Sequence, residues 1–200
     1  MMNIKNKTYG FSLIEIILTI AISMTFILIA FVLFQKVNES SKVETEVKNI
    51  ATLRTNLKSL YYGKNLVAEQ ELNNVLINAD LVPESMLNGD KETIINAWGG
   101  DVRVGTYYIK TGVPLLSLQY NNVPSSACIK LVSQTASSNE QVVVGISPGV
   151  TTTIVRDGSN RDVVFGTKKN DHSQTISMDI TTITEWCNKS SSAIIIYKFI

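Results

Sequence analysis

Hydrophobic and polar positions divide this chain into two regimes. From Ile16 to Phe34 there are 19 consecutive residues without a charge, nearly all apolar. Beyond them the apolar residues thin out into a stripe. Val43, Val47, Ile50, Leu53, Leu57 and Leu60 recur at three- and four-residue steps, with Lys42, Glu44, Glu46, Lys48, Arg54 and Lys58 between them. That spacing predicts an amphipathic helix with one buried face. No proline precedes Pro83, so both regimes fit one long helix from about Phe11 to Tyr61, ended at Gly63 by a left-handed cap. After a connecting stretch, Glu69 to Ala79 reads as a short helix. From there the period shortens towards two. Val102 to Ile109 and Leu115 to Tyr120 are β-prone runs on either side of Thr111-Gly112, which predicts an antiparallel pair. Gln141 to Ile146, Thr151 to Val155, Asp162 to Phe165 and Ala193 to Ile200 are further strand candidates, the last pairing inside the sheet. Pro148-Gly149 and Asp157-Gly158 supply turns. Two helices interrupt the strands, Ser125 to Ser133 with Ser125 as its N-cap and Asp179 to Lys189. The fold class is therefore α+β: a long N-terminal helix followed by an antiparallel sheet domain.

The apolar run would cover roughly 28 Å as a helix, close to the hydrocarbon thickness of a bilayer. Lys5 and Lys7 precede it and Lys36 follows. The positive-inside bias weakly favours a cytoplasmic N-terminus with the bulk of the chain outside. A secretory signal places its apolar stretch before a small-residue cleavage site. Here the order is reversed: a basic leader ends in Gly10, and the apolar stretch begins at Phe11, so cleavage there would leave the stretch on the mature protein. Within it stands Glu15. A carboxylate at the centre of a membrane helix costs about 2.5–3.5 kcal/mol on insertion scales, and less near an end. It reads either as functional or as a side chain snorkelling to the headgroups. A plain anchor or an uncleaved signal anchor is the simpler alternative for the whole segment.

The junction Gly10-Phe11-Ser12-Leu13-Ile14-Glu15, with its basic leader and apolar tract in register, resembles the class III leader junction of the type IV pilins. Three further elements are similar to type IVb members. Asn96-Ala97-Trp98-Gly99-Gly100 resembles the Asn-x-Trp-Gly-Gly element that opens their sheet, and Leu60-Tyr61-Tyr62-Gly63 and Ser126-Ala127-Cys128 also match. The short leader and the initial Phe are shared with type IVa pilins, whereas the head size, the Trp-Gly-Gly element and the wide cysteine spacing favour type IVb. The resemblance implies that a prepilin peptidase cuts between Gly10 and Phe11, that Phe11 is N-methylated, and that Glu15 pairs with the N-terminal amine of a neighbouring subunit. Two opposite charges in an apolar filament core are each costly alone and tolerable together. The two cysteines, Cys128 and Cys187, match the pair that bounds the C-terminal region of these pilins. An even count in an exported domain also reads as one disulfide, the alternative being two separate buried thiols.

Charge and chemistry narrow the function classes. Residues 1–10 contain two lysines and no acid, so removing them changes the formal charge from +1 to −1. A near-neutral chain has no electrostatic footprint for nucleic acid, and Lys168-Lys169 is too small a patch to supply one. The single histidine, His172, stands in a polar stretch and reads as a solvated loop residue. No Ser-His-Asp or Cys-His arrangement and no phosphate-binding loop can be assembled. Asp157, Asp162 and Asp171 read as loop acids. No catalytic residue, cofactor or metal site is expected.

These readings divide the chain into a leader at 1–10, a membrane or filament-core helix at 11–38, an amphipathic continuation at 39–62, and a head at 63–200 with a disulfide-bounded region at 128–187. The implied function is that of a structural subunit. It is held in the inner membrane with its head in the periplasm, then polymerised by an assembly platform and its ATPase into a homo-oligomeric extracellular filament. That filament would serve adhesion to host or neighbouring cells, aggregation or conjugative contact. A minor pilin or a type II secretion pseudopilin would share these signals. From another class, a membrane-anchored exported binding protein or enzyme would share the anchor but never polymerise.

Overall fold

The structure is a computed structural model that describes residues 12–64, 67, 70–108, 114–136, 140–146, 161–168 and 174–199. The chain divides into two compact units, Met1–Ser40 and Ser41–Ile200.

Helix α1 runs from Leu13 to Tyr61. No glycine or proline occurs between Phe11 and Tyr61, so nothing in its backbone chemistry interrupts the hydrogen-bond ladder. It ends as its sequence predicts: Gly63 takes a left-handed φ of +68°, and Lys64 N–H donates to Tyr61 O at 3.1 Å. In the first unit the hydroxyls of Thr19, Ser23 and Thr25 all donate to carbonyls three or four residues back. Their polarity is thereby met within the helix, as an apolar surrounding requires.

In the second unit, α1 buries Val43, Ile50, Leu53 and Leu57 against the sheet. Val47 and Leu60 lie half-buried at the margin of the same stripe. Among the described residues the sheet has six strands: β1 (Val102–Tyr108), β2 (Pro114–Pro124), β3 (Glu140–Ile146), β4 (Arg161–Lys168), β5 (Gln174–Ile176) and β6 (Ser192–Phe199). Their order is β1-β2-β6-β3-β4-β5, and each neighbouring pair is antiparallel. The final strand thus sits between β2 and β3, in register Leu118–Tyr197 on one side and Val142–Tyr197 on the other. Side chains alternate along the strands, with register shifts between Tyr120 and Val123 of β2 and between Val142 and Val143 of β3. Leu116, Leu118 and Tyr120 of β2, Val142 and Val144 of β3, and Ala193, Ile195, Tyr197 and Phe199 of β6 join the α1 core. Val143, Ile194 and Ile196 form a separate cluster, as side chains that alternate across a sheet must.

The shorter elements depart from expectation in instructive ways. The helix expected at Glu69–Ala79 narrows to α2, Asn73–Asn78. The residues before it cover the free edge of β1 instead: Thr106 N–H donates to Gln70 O at 2.9 Å, and Leu72 N–H donates to Val104 O at 2.8 Å. An unpaired strand edge outcompetes weak helical preference. Helix α3 spans Ser125–Thr135, yet Ser125 does not cap it. Pro124 holds the N-cap position, and the Ser125 hydroxyl donates to Ser190 O at 2.8 Å, tying α3 to the approach of β6. Helix α4 covers Ile180–Cys187, with Asp179 accepting from Thr181 N–H and Thr182 N–H as a true N-cap. The strand expected at Thr151–Val155, the turns at Thr111-Gly112, Pro148-Gly149 and Asp157-Gly158, and His172 lie outside the described residues.

Candidate assembly helix and disulfide-bounded head

The first unit presents apolar surface with no cover of its own. From Leu13 to Val37 the large hydrophobic side chains are between 46 and 77 % exposed. Among the described residues α1 is the one helix long and apolar enough to cross a membrane. Such surface needs lipid or other chains around it. Glu15 lies in its first turn. One carboxylate oxygen accepts from Ser12 N–H at 3.4 Å, and Glu15 N–H donates to Ser12 O at 2.9 Å. This places Ser12 at the N-cap and Glu15 three residues on, the spacing of a capping box. A carboxylate there also complements the positive end of the helix dipole. The Ser-x-x-Glu signal lay in the sequence beside the apolar pattern. Gly10 and Phe11 lie outside the described residues.

In the head, Cys128 of α3 and Cys187 of α4 form a disulfide between fully buried positions, with Cα atoms 5.8 Å apart. The bond closes a long segment that contains β3, β4 and β5. Gly166 of β4 has φ +94° and lies so close to β3 that a Cβ would meet Glu140 O. Glu140 in turn pairs with Arg54 of α1 at 2.9 Å. The Arg54 guanidinium also donates to Thr135 O at 2.8 Å and lies over the Tyr197 ring at 4.5 Å from its centre. The disulfide-bounded region is therefore fixed to α1 by a partly buried cation as well as by the sheet.

The Trp-Gly-Gly element is a turn held by one side chain. Asn96 Oδ1 accepts from Trp98 N–H and Gly100 N–H, each at 3.0 Å, while Nδ2 donates to Asn121 O at 2.7 Å. Gly99 has φ +74°, in the region that favours glycine. Gly100 is required for a different reason: a Cβ there would stand 2.0 Å from Asn121 O. The turn is also fastened to α1, because Ala97 N–H donates to Glu46 Oε1 at 2.8 Å. Glu46 and Arg54 stand among the polar positions of the amphipathic pattern, yet Glu46 is fully buried and the Arg54 side chain is only 13 % exposed. Burial raises the Glu46 carboxyl above its ordinary value, against the smaller opposite influence of the Ala97 hydrogen bond and of the neighbouring Tyr120 and Asn49 side chains.

Residues 40–198 match the family described as PilS N terminal. The major structural subunit of the bundle-forming pilus of Escherichia coli O127:H6 (strain E2348/69 / EPEC) is 24% identical over 132 residues, which cover 65% of this chain and 67% of that protein. The fold is shared with two solved structures. The type IVb pilin from Salmonella typhi superposes with a TM-score of 0.52 at 19% identity, over 78% of this chain and 98% of that one. The type IV pilin TcpA from Vibrio cholerae El Tor biotype superposes with a TM-score of 0.53 at 12% identity, over 80% and 99%. With the family match spanning most of its length, the chain belongs to the PilS N-terminal family, and the fold beneath it is that of the type IV pilins.

Proposed function

We propose that this chain is made as a prepilin, cut by a prepilin peptidase between Gly10 and Phe11, methylated on the Phe11 amine, and polymerised into a surface filament. The inner membrane holds it first through α1, with the head in the periplasm. An assembly platform and its ATPase then move it into a homo-oligomer in which neighbouring α1 helices replace lipid. The observation that supports this reading is the exposed apolar surface of α1, interrupted near its start by the single carboxylate of Glu15. One apolar surface then serves two surroundings in turn. Glu15 meets the amine of a neighbouring Phe11, a pair that neither partner could leave without stranding a charge. The filament contacts host or neighbouring cells through the head.

Glu15→Ala tests the assembly role. Removing one partner of a buried ion pair costs about 3–5 kcal/mol. The expected result is a variant that is cut, inserted and folded normally but absent from surface filaments. Normal filament yield from Glu15→Ala contradicts the assembly role of this carboxylate.

A further inference from the structure

Glu46 is 1 % exposed, and its two carboxylate oxygens are unequally served. Oε1 accepts from Ala97 N–H, whereas Oε2 is buried without a hydrogen-bond partner, as is the Nδ2 of Asn49 on the same helix. The Tyr120 hydroxyl of β2 is a close neighbour of this carboxyl but is directed to Met86 Sδ at 3.9 Å. An ionised carboxylate so placed is poorly compensated, since burial of a charge is tolerable only when it is paired and fully hydrogen-bonded.

The other titratable and charged groups around it do not relieve the charge. Tyr120, and Tyr197 from β6, are fully buried phenols raised above their ordinary values chiefly by burial, so both stay protonated. Arg54, further along α1, is committed to Glu140 of β3 and to Thr135 O. Glu46 is therefore the carboxyl of this cluster whose charge is not matched by a cation, Glu140 being paired with Arg54.

We propose that Glu46 is a proton-controlled latch on the Asn96–Gly100 turn. Protonated, it keeps the Ala97 hydrogen bond through Oε1, gains an Oε2 proton to direct at the Tyr120 hydroxyl oxygen, and leaves no charge in the core. Ionised, it loosens the turn from α1 so that water reaches the carboxylate. The sign follows from the raised folded value. Between the ordinary carboxylate range and that value, the folded head keeps a proton that the unfolded chain has released. Stability then falls as pH rises across this window and levels off above it.

The test is thermal unfolding of the full-length chain in nonionic detergent from pH 4 to pH 8, for the wild type and for Glu46→Gln. Glutamine keeps an acceptor for Ala97 and carries no charge. The expected melting advantage of Glu46→Gln widens with pH, by about 3 °C for each unit by which the carboxyl is raised. Amide-exchange protection of Ala97 should fall with pH in the wild type and hold in the variant. An advantage that is constant across pH overturns the latch. Should Glu46→Gln not fold, carbon-13 titration of the wild-type glutamate carboxyls decides: a Glu46 titration above the others supports the proposal, and one in the ordinary range overturns it.

Discussion

At the scale of single residues, the head is organised by side chains that a hydrophobic pattern cannot register. The two glycines after Trp98 are demanded by different physics, and this separates the effects of replacing them. At Gly99 an alanine meets open space but must hold a left-handed φ of +74°, at a cost of about 1–2 kcal/mol. At Gly100 the added Cβ collides with backbone, Asn121 O at 2.0 Å. Overpacking of this kind typically costs about 1–3 kcal/mol and occasionally more, and here the partner has no rotamer to escape into. Chemical denaturation should place Gly100→Ala below Gly99→Ala in stability; the opposite order contradicts the assignment. Two successive glycines point to a tight turn with positive backbone angles, which holds at Gly99 and not at Gly100. The reason for Gly100 lies in Asn121, on a strand that no local pattern connects to it. Glu46 and Arg54 were equally illegible. Both alternate with the apolar stripe of α1 in the manner of solvent-facing charges. Their burial arises only because the Ala97 amide and the Glu140 carboxylate come to them from distant segments.

At the scale of elements, legibility tracks length and strength of signal. The 49 residues of α1 were readable because its apolar tract, its stripe and its Gly63 terminator agree. The strands β1, β2, β3, β4 and β6 fell where β-branched runs stand between turn residues. Short elements were settled by neighbours instead: α2 gave up its first turn to the β1 edge, and the three residues of β5 exist as a partner for β4. Capping shows the same division. Ser125 stood in the right place for an N-cap and was drawn to Ser190, while Asp179 caps α4 with both oxygens. The Thr182 hydroxyl, ahead of the backbone amides of Thr181 and Thr182, holds the Asp179 carboxyl below its ordinary value. A lowered value means stability that is present above the ordinary carboxylate range and lost as pH falls through the folded value. Asp179→Ala should therefore lower the melting temperature at pH 7, and the deficit should shrink as the pH falls below the ordinary aspartate range. A deficit that does not change with pH contradicts the cap as its source.

At the scale of the whole molecule, two units answer two needs. One exposes apolar side chains along a helix that no part of its own unit covers, and a single acid stands near its start. The other closes around a sheet whose last strand is central, so the head is complete only when the chain reaches β6. The bond between Cys128 and Cys187 then encloses β3, β4 and β5. Pairing of the cysteines was legible from their number and from the family resemblance. The strand order was not, because β6 pairs with β2 across the whole disulfide-bounded region and with β3 across most of it, and long-range pairing leaves no local trace in sequence.

The central claim is that this molecule is a processed structural subunit of a surface filament. The most direct test is intact-mass and N-terminal analysis of protein sheared from the surface of cells that produce it. The account predicts an abundant chain that begins at Phe11, carries one added methyl group and lacks the two hydrogens lost in the Cys128–Cys187 bond. A chain that retains residues 1–10, found in the membrane and absent from the sheared fraction, contradicts it.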